Sequence, residues 1–345
     1  MKTLTTIITA LVSQLIISQS AFVNHGAVQL HGEAQIGFHT NLVNEGSYRG
    51  ASGMSGFYGE ELLRVSGSQA PEFYDVELGV EKGLYLSTSI KINNSQMFIA
   101  GKIHTPRTNP EVLVSLGDAV HVGESDESFV SGYAAVTNGL GNVIPVGDQD
   151  KLSGVTIESG INNTVTAAYF QEDPTFPSTF AKSFTSSSRS SSVESVSRVE
   201  YWDVRGEEPV SITLSWDSAS RLSGLTGSVK DVTIVGWSKT DREWVNLGSV
   251  TREGTLESGK VTSMSFIPNA YEIITIGSVE NESEEILIAE HVQVLKTNVF
   301  DTAGRLVKVF KGEEAVDFTG MAKGVFITDT YLSNGERFAK KILNR

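Results

Sequence analysis

The sequence predicts an all-β protein built from three consecutive regions behind a short leader. Apolar residues alternate with a period of two at Leu84 and Leu86 and again at Ile90 and Ile92, which indicates strands with one buried face. Twenty of the 33 glycines lie between positions 21 and 160, where they separate many short β-like runs. The chain has no cysteine, so packing must hold this fold without disulfides.

The leader comprises residues 1–20, "MKTLTTIITALVSQLIISQS". Lys2 precedes an apolar stretch from Ile7 to Ile17, and the small residues Ser18 and Ser20 follow where a signal peptidase would cleave. The stretch is shorter than the roughly 20 apolar residues of a membrane span. We therefore expect a secretory signal, no transmembrane segment, and delivery through a periplasm to the cell surface or medium.

The first region, residues 21–147, contains a partial internal repeat. "VNHG" begins at Val23 and "VNEG" begins at Val43, twenty residues later. This spacing fits one coil of a β-solenoid. A β-sandwich with frequent hairpins accounts for the same short strands and remains the alternative.

The second region, residues 148–278, contains all four tryptophans of the chain, and its alternating strands predict a β-sandwich. One core is expected to hold the indole rings, with Trp244 the most exposed because "DREW" surrounds it with charge. The serine-rich tract that begins at Phe184 predicts a loop within this domain. The tryptophans are Trp202, Trp216, Trp237 and Trp244.

The third region, residues 279–345, opens with the acidic segment "VENESEEILIAE" and continues as paired strands. Asn334 and Gly335 form a strong hairpin signal, so we expect a small immunoglobulin-like β-sandwich. Residues 299–345 carry 8 Lys or Arg against 6 Asp or Glu, a net charge of +2, whereas the whole chain carries −14. The C-terminal region is thus electrostatically distinct from the rest.

Three phrases of this region, "VFDTAGRLVKVF", "VDFTGMAKGVFI" and "AKKIL", occur in order. Together they resemble the C-terminal sorting domain of the type IX secretion system of Bacteroidetes. The resemblance implies that the secretion machinery is a partner and that the domain directs export. The residues that match its "D-x-x-G-R" turn, "L-A-K-G" bend, hairpin and lysine pair are Asp301, Gly304, Arg305, Lys323, Gly324, Asn334, Gly335, Lys340 and Lys341. The "N-P" turn usual at the start of such domains is missing.

Common catalytic signatures are absent from the sequence. "GTLESGKV", from Gly254 to Val261, approaches a phosphate-binding loop, but Val261 replaces the magnesium-binding hydroxyl and the segment is predicted to be a hairpin. The acidic composition argues against nucleic acid as a partner. We therefore expect a monomeric, non-enzymatic structural or adhesive surface protein without a cofactor, which could bind polysaccharide. The alternative is an extracellular polysaccharide-acting hydrolase or its carbohydrate-binding module.

The sequence also contains candidate metal ligands and candidate glycosylation sites. Five histidines of the first region could converge on a metal ion, although nothing in their spacing requires it. Asp148 and Asp150 could bind calcium through their carboxylates, but a polar turn explains this pair better. "DSA" at Asp217-Ser218 and "DTA" at Asp301-Thr302 resemble Bacteroidetes acceptor patterns for O-glycans. The histidines are His25, His31, His39, His104 and His121.

Overall fold

The computed structural model describes residues 21–137, 141–158, 164–280, 294–312, 316–332 and 337–344. It is nearly all β, with 53% strand and 4% helix, as the sequence predicted. The chain divides into two compact units, Met1–Asn281 and Glu282–Arg345, which are described separately.

The first unit begins with a β-solenoid of about six turns, whose strands stack in parallel on successive coils. One sheet contains β1 (Ala21–Asn24), β4 (Asn41–Asn44), β7 (Leu63–Ser66), β9 (Leu84–Leu86), β11 (Ile103–His104), β14 (Val130–Ser131) and β17 (Val146–Asp148). A second contains β2 (Ala27–Leu30), β5 (Ser47–Gly50), β8 (Glu72–Val80), β10 (Ile90–Ala100), β12 (Val114–Gly117) and β15 (Ala134–Thr137). Outside this order, β6 (Met54–Gly59) pairs with β8 and with β3 (Gln35–Phe38), and β13 (Val120–Val122) pairs with β10.

The sequence repeat is the repeat of the coil. Strand β1 pairs in parallel with β4, and Val23 lies opposite Val43 while Asn24 lies opposite Asn44. The solenoid interpretation is therefore confirmed over the sandwich alternative. Parallel stacking places equivalent residues of successive coils directly above one another.

Stacked side chains fill the solenoid interior. The rings of Phe38 and Phe57 lie 5.0 Å apart, and Phe57 meets Phe73 edge-on at 5.8 Å. At one corner the Nδ2 of Asn24 donates to the Oδ1 of Asn44 over 2.7 Å, and both side chains are buried. Each coil thus supplies the polar partner that its neighbour needs for burial.

The remainder of the first unit is a sandwich that continues from the solenoid. Strand β18 (Lys151–Leu152) pairs antiparallel with β17. The second solenoid sheet extends through β20 (Thr164–Phe170), β22 (Tyr201–Arg205), β28 (Tyr271–Ser278), β24 (Val232–Ser238) and β25 (Trp244–Asn246), with β21 (Ser195–Val196) beside β28. The other sheet contains β16 (Val143–Ile144), β19 (Val155–Ile157), β23 (Ile212–Trp216), β27 (Gly259–Thr262) and β26 (Thr251–Gly254). Short 3-10 helices span Ser218–Ser220, Leu222–Gly224, Val229–Asp231 and Pro268–Ala270.

The boundary predicted between residues 147 and 148 falls inside this unit. It lies within strand β17, next to the turn that leads into β18. Because the second sheet also runs from solenoid to sandwich, the two regions share hydrogen-bonded strands and one hydrophobic core.

All four tryptophans are buried, as predicted, but the expectations of one shared core and an exposed Trp244 are wrong. Trp202 and Trp216 lie in the main core, whereas Trp237 and Trp244 lie in a second cluster. Trp244 is fully buried because the serine-rich tract covers it. The amide of Trp244 donates to the carbonyl of Ser188 over 2.9 Å. The tract is therefore a loop of this domain, as predicted.

The second unit is a four-stranded antiparallel sheet in the order β30-β29-β31-β32. Its buried residues Val299, Phe310 and Phe326 pack with the half-buried Val316 and Phe318. The sequence predicted a small sandwich; the described residues of this unit form a single sheet covered on one face. The strands are β29 (Val294–Asp301), β30 (Leu306–Lys311), β31 (Gly324–Leu332) and β32 (Arg337–Asn344).

Candidate functional site

The "D-x-x-G-R" segment of the second unit is a turn that satisfies its own hydrogen bonds. Asp301 ends β29, and its Oδ1 accepts from the amides of Ala303 at 2.9 Å and Arg305 at 3.0 Å. Its Oδ2 accepts from the Nε of Arg305 over 2.8 Å. Gly304 has a φ of 75°, which favours glycine. Each residue of the matched pattern therefore has a distinct role in closing this turn.

The electrostatics of the turn keep its aspartate ionised. The backbone hydrogen bond from Arg305 contributes most to lowering the pKa of Asp301, and the Arg305 guanidinium lowers it further. The Arg305 side chain remains 81% exposed while it makes this ion pair. The turn thus presents a guanidinium to solvent in a fixed position, which a partner could recognise.

The "A-K-G" bend is tied to the last strand. Gly324 begins β31 with a φ of 153° and pairs with Asn344. The Nδ2 of Asn344 donates to the carbonyl of Ala322 over 3.1 Å. Lys323 is exposed. Because Asp301 pairs with Phe326, two residues after Gly324, the turn and the bend lie at the same end of the sheet.

The two lysines of the matched pair lie farther along β32. Lys340 is opposite Thr328 and Lys341 is opposite Ile327. Successive positions of a strand belong to opposite faces of a sheet, so the two positions do not share a face. Lys340 is exposed. The predicted turn at Asn334 and Gly335 lies outside the described residues.

Sequence reasoning missed an exposed apolar surface on the second unit. Val309 of β30 is 42% exposed and Ile327 of β31 is 41% exposed. They share a face because Asn298 and Phe300, two residues apart on β29, are their respective partners in the sheet. The sequence feature that could have indicated this surface is the presence of apolar residues on both faces of the strand "LVKVF". Exposed apolar patches of this kind often mark interaction surfaces.

The solenoid carries a groove with a volume of about 600 Å³, lined by charged and hydroxyl-bearing side chains together with the apolar Ile99 and Ala100. Within it, Lys102 pairs with Asp150 over 2.9 Å. Burial lowers the pKa of His104, and the nearby charges of Lys102 and Arg107 lower it further, so protonation of the imidazole is disfavoured. The groove offers hydrogen-bond donors and acceptors of the kind that sugar hydroxyls use. Its lining also includes Glu81, Lys82, Glu127 and Ser128.

The other candidate motifs have structural explanations. Among the described residues, no group of three or more His, Asp or Glu side chains could hold a metal ion. Asp148 pairs with Arg107 over 2.9 Å, and residues 148–150 form the predicted turn. Gly254 pairs with Gly259, so the segment that approaches a phosphate-binding loop is the expected hairpin.

Both predicted glycosylation acceptors, Ser218 and Thr302, are exposed. In the part of the chain that the structure describes, no helix has the length and apolarity needed to cross a membrane. No family model, curated protein or solved structure matches the chain.

Proposed function

We propose that the protein is exported to the cell surface or medium by a type IX secretion system, with residues 282–345 as the sorting domain. In this proposal the first unit is cargo that acts without catalysis, as a structural or adhesive element. The observation that carries it is the self-contained turn formed by Asp301, Gly304 and Arg305 on a separately compact C-terminal unit. The leader pattern of residues 1–20 supports entry into the export route.

The adhesive role rests on the solenoid groove. Its lining combines hydrogen-bonding side chains with the apolar Ile99 and Ala100, and a polysaccharide offers both hydroxyl groups and apolar ring faces to such a surface. Parallel stacking holds these side chains on a rigid support, which reduces the entropy lost on binding.

The alternative, an extracellular polysaccharide hydrolase or its carbohydrate-binding module, is favoured by the carboxylates of the same groove, Glu81, Glu127 and Asp150. Hydrolysis requires two carboxyl groups about 5–10 Å apart that flank the bond to be cleaved. A glycan-array screen followed by assay of the bound glycans for cleavage separates adhesion from hydrolysis. Binding without reducing-end release supports the adhesive role, whereas release supports the hydrolase.

The export proposal is tested by fractionating a Bacteroidetes host that expresses the chain without residues 282–345. We expect the shortened protein to fold and to accumulate in the periplasm. Fusion of residues 279–345 to an unrelated cargo with a signal peptide should carry that cargo outside. Normal surface or medium levels of the shortened protein would contradict the proposal.

A sharper test alters only the turn. Asp301→Ala removes the acceptor for two amides and the Arg305 guanidinium, so we expect a large loss of secreted protein. Asp317→Ala is the matched control, because Asp317 also accepts a backbone amide, that of Thr319 at 2.8 Å, but is not one of the residues matched to the family's turn, bend, hairpin or lysine pair. Equal secretion of the two variants would show that the turn is not recognised.

A further inference from the structure

A charged cluster lies in the sandwich of the first unit, and its amine and one of its two carboxylates are buried. Lys151, on β18, is 8% exposed, and Glu200 is 1% exposed. The Nζ of Lys151 lies 2.9 Å from the Oε2 of Glu200 and 3.1 Å from the Oδ1 of Asp217. The Oγ of Ser220 also accepts from this Nζ, at 2.9 Å. One amine is thus held between two carboxylates that are distant in sequence.

The surroundings of the cluster are mostly aromatic. The hydroxyl of Tyr169 donates to the Oε2 of Glu200 over 2.7 Å, and the Tyr169 and Trp202 rings lie 5.1 Å apart. The Oε1 of Glu200 is buried and has no hydrogen-bond partner among the described residues. The Oε2 of Glu200 lies 2.9 Å from the Nζ of Lys151, so this carboxylate is placed to receive a proton from the amine.

Asp217 lies nearer the protein surface than Glu200 does. It caps the helix Ser218–Ser220, and its Oδ1 accepts from the amide of Ala219 over 2.8 Å. Its side chain is 53% exposed. A backbone N–H aimed at this oxygen would stabilise negative charge on it during attack at the carboxyl carbon. The exposed side also gives a leaving water molecule a path to solvent.

We propose that Lys151 and Asp217 condense spontaneously to an intramolecular isopeptide bond, with Glu200 as the proton carrier. Glu200 carries one proton from the ammonium of Lys151 to the carboxylate of Asp217, and the neutral Nζ attacks the Cγ of the resulting carboxyl group. Glu200 then carries a second proton from the nitrogen to the hydroxyl oxygen that departs. The C–O bond breaks, the second proton of the amine leaves with that oxygen, and one water molecule is released. The ammonium and carboxylate pair becomes a neutral amide, so atoms and charge balance.

Two physical effects favour this condensation. The fold holds the amine and the carboxyl group together at hydrogen-bond distance, which replaces a bimolecular encounter with an intramolecular one. The reaction also removes the buried ammonium of Lys151, whose desolvation is costly. Glu200 then remains beside the new amide.

Peptide mapping by mass spectrometry tests the proposal on the purified full chain. We expect a proteolytic peptide that joins Lys151 to Asp217, with a mass one water molecule below the sum of the two linear peptides. The matched control is the pair Lys102 and Asp150, which lies at 2.9 Å but whose carboxylate is 96% exposed. It should remain unlinked. A folded chain in which Lys151 and Asp217 are recovered only in linear peptides would overturn the proposal.

Variants assign the roles within the cluster. Asp217→Asn keeps the shape of the site and should lose ammonia in place of water; a variant that still loses water would place the bond elsewhere and overturn the proposal. Glu200→Gln keeps the side-chain shape but removes the proton carrier, so we expect the linked peptide to fall at least tenfold. A Lys151 to residue 200 link with loss of ammonia would make Glu200 the acceptor and likewise overturn the assignment.

Discussion

The solenoid and the sandwich of the first unit bury polar groups in different ways. In the solenoid, Asn24 is satisfied by Asn44, the equivalent residue of the next coil. In the sandwich, the hydroxyl of Tyr169 donates to the buried carboxylate of Glu200 over 2.7 Å, across 31 residues of sequence. Repetition supplies the partner in the first case, and tertiary folding must supply it in the second. A substitution in the solenoid should therefore destabilise the neighbouring coils as well, whereas a substitution in the sandwich should affect only the hydrogen-bonded pair to which the residue belongs.

The largest effect is expected from Phe57→Ala. Phe57 is fully buried between Phe38 and Phe73, and the stack allows little collapse around the cavity. We expect a loss of about 3–5 kcal/mol in the free energy of unfolding. Calorimetry of the full chain measures it, with Phe176→Ala as the control because Phe176 is 75% exposed. Similar losses in both variants would contradict a stacked aromatic core.

Gly46→Ala tests the close approach of successive coils. A Cβ at Gly46 would lie 2.2 Å from the carbonyl oxygen of Gly26, so the coils must separate. We expect a loss of about 2 kcal/mol, in the range of overpacked cores. Gly26→Ala is the matched control, because a Cβ there has no neighbour within 4 Å. If the Gly26 variant loses as much stability, the close approach of the two coils at Gly46 is not the cause.

Trp244→Phe tests a contact of the sandwich, as the two preceding substitutions test contacts of the solenoid. The Nε1 of Trp244 donates to the carbonyl of Phe184 over 3.3 Å, and this bond holds the serine-rich loop over the second core. Its loss should cost about 1 kcal/mol. Limited proteolysis should then cleave within residues 185–192 faster than in the unaltered chain. An unchanged cleavage rate would show that the loop is held by its backbone pairing alone.

The comparison also explains what the sequence could and could not predict. The register of the solenoid strands could be predicted because "VNHG" and "VNEG" repeat the same local pattern, and stacking of the coils brings these two segments into contact. The burial of Trp244 was not readable, because the covering segment around Ser188 lies more than fifty residues earlier and consists of polar residues. In the second unit, the turn at Asp301 was predictable because its partners lie within four residues. The cluster around Lys151 was missed because Glu200 and Asp217 are distant in sequence and belong to no local motif.

The smallest expected effect concerns His104, in the solenoid groove. Its pKa is lowered below the ordinary value of 6.5 by burial and by the charges of Lys102 and Arg107. As the pH falls through 6.5, the unfolded chain therefore binds a proton before the folded chain does. Stability contributed by neutral His104 is complete above 6.5 and decreases as the pH falls towards the folded pKa. The slope of unfolding free energy against pH should thus be positive in this window.

Other groups titrate in the same range, so a matched variant isolates the histidine. His104→Asn keeps a polar side chain at this position but removes the titration. The difference in unfolding free energy between the two proteins should change with pH below 6.5 and be constant above it. Lys102→Gln should raise the pKa of His104, since it removes one of the charges that disfavour protonation, and should narrow the window. If the two proteins differ by the same free energy at every pH, His104 has the same pKa in the folded and unfolded chains, and the groove does not hold its imidazole neutral.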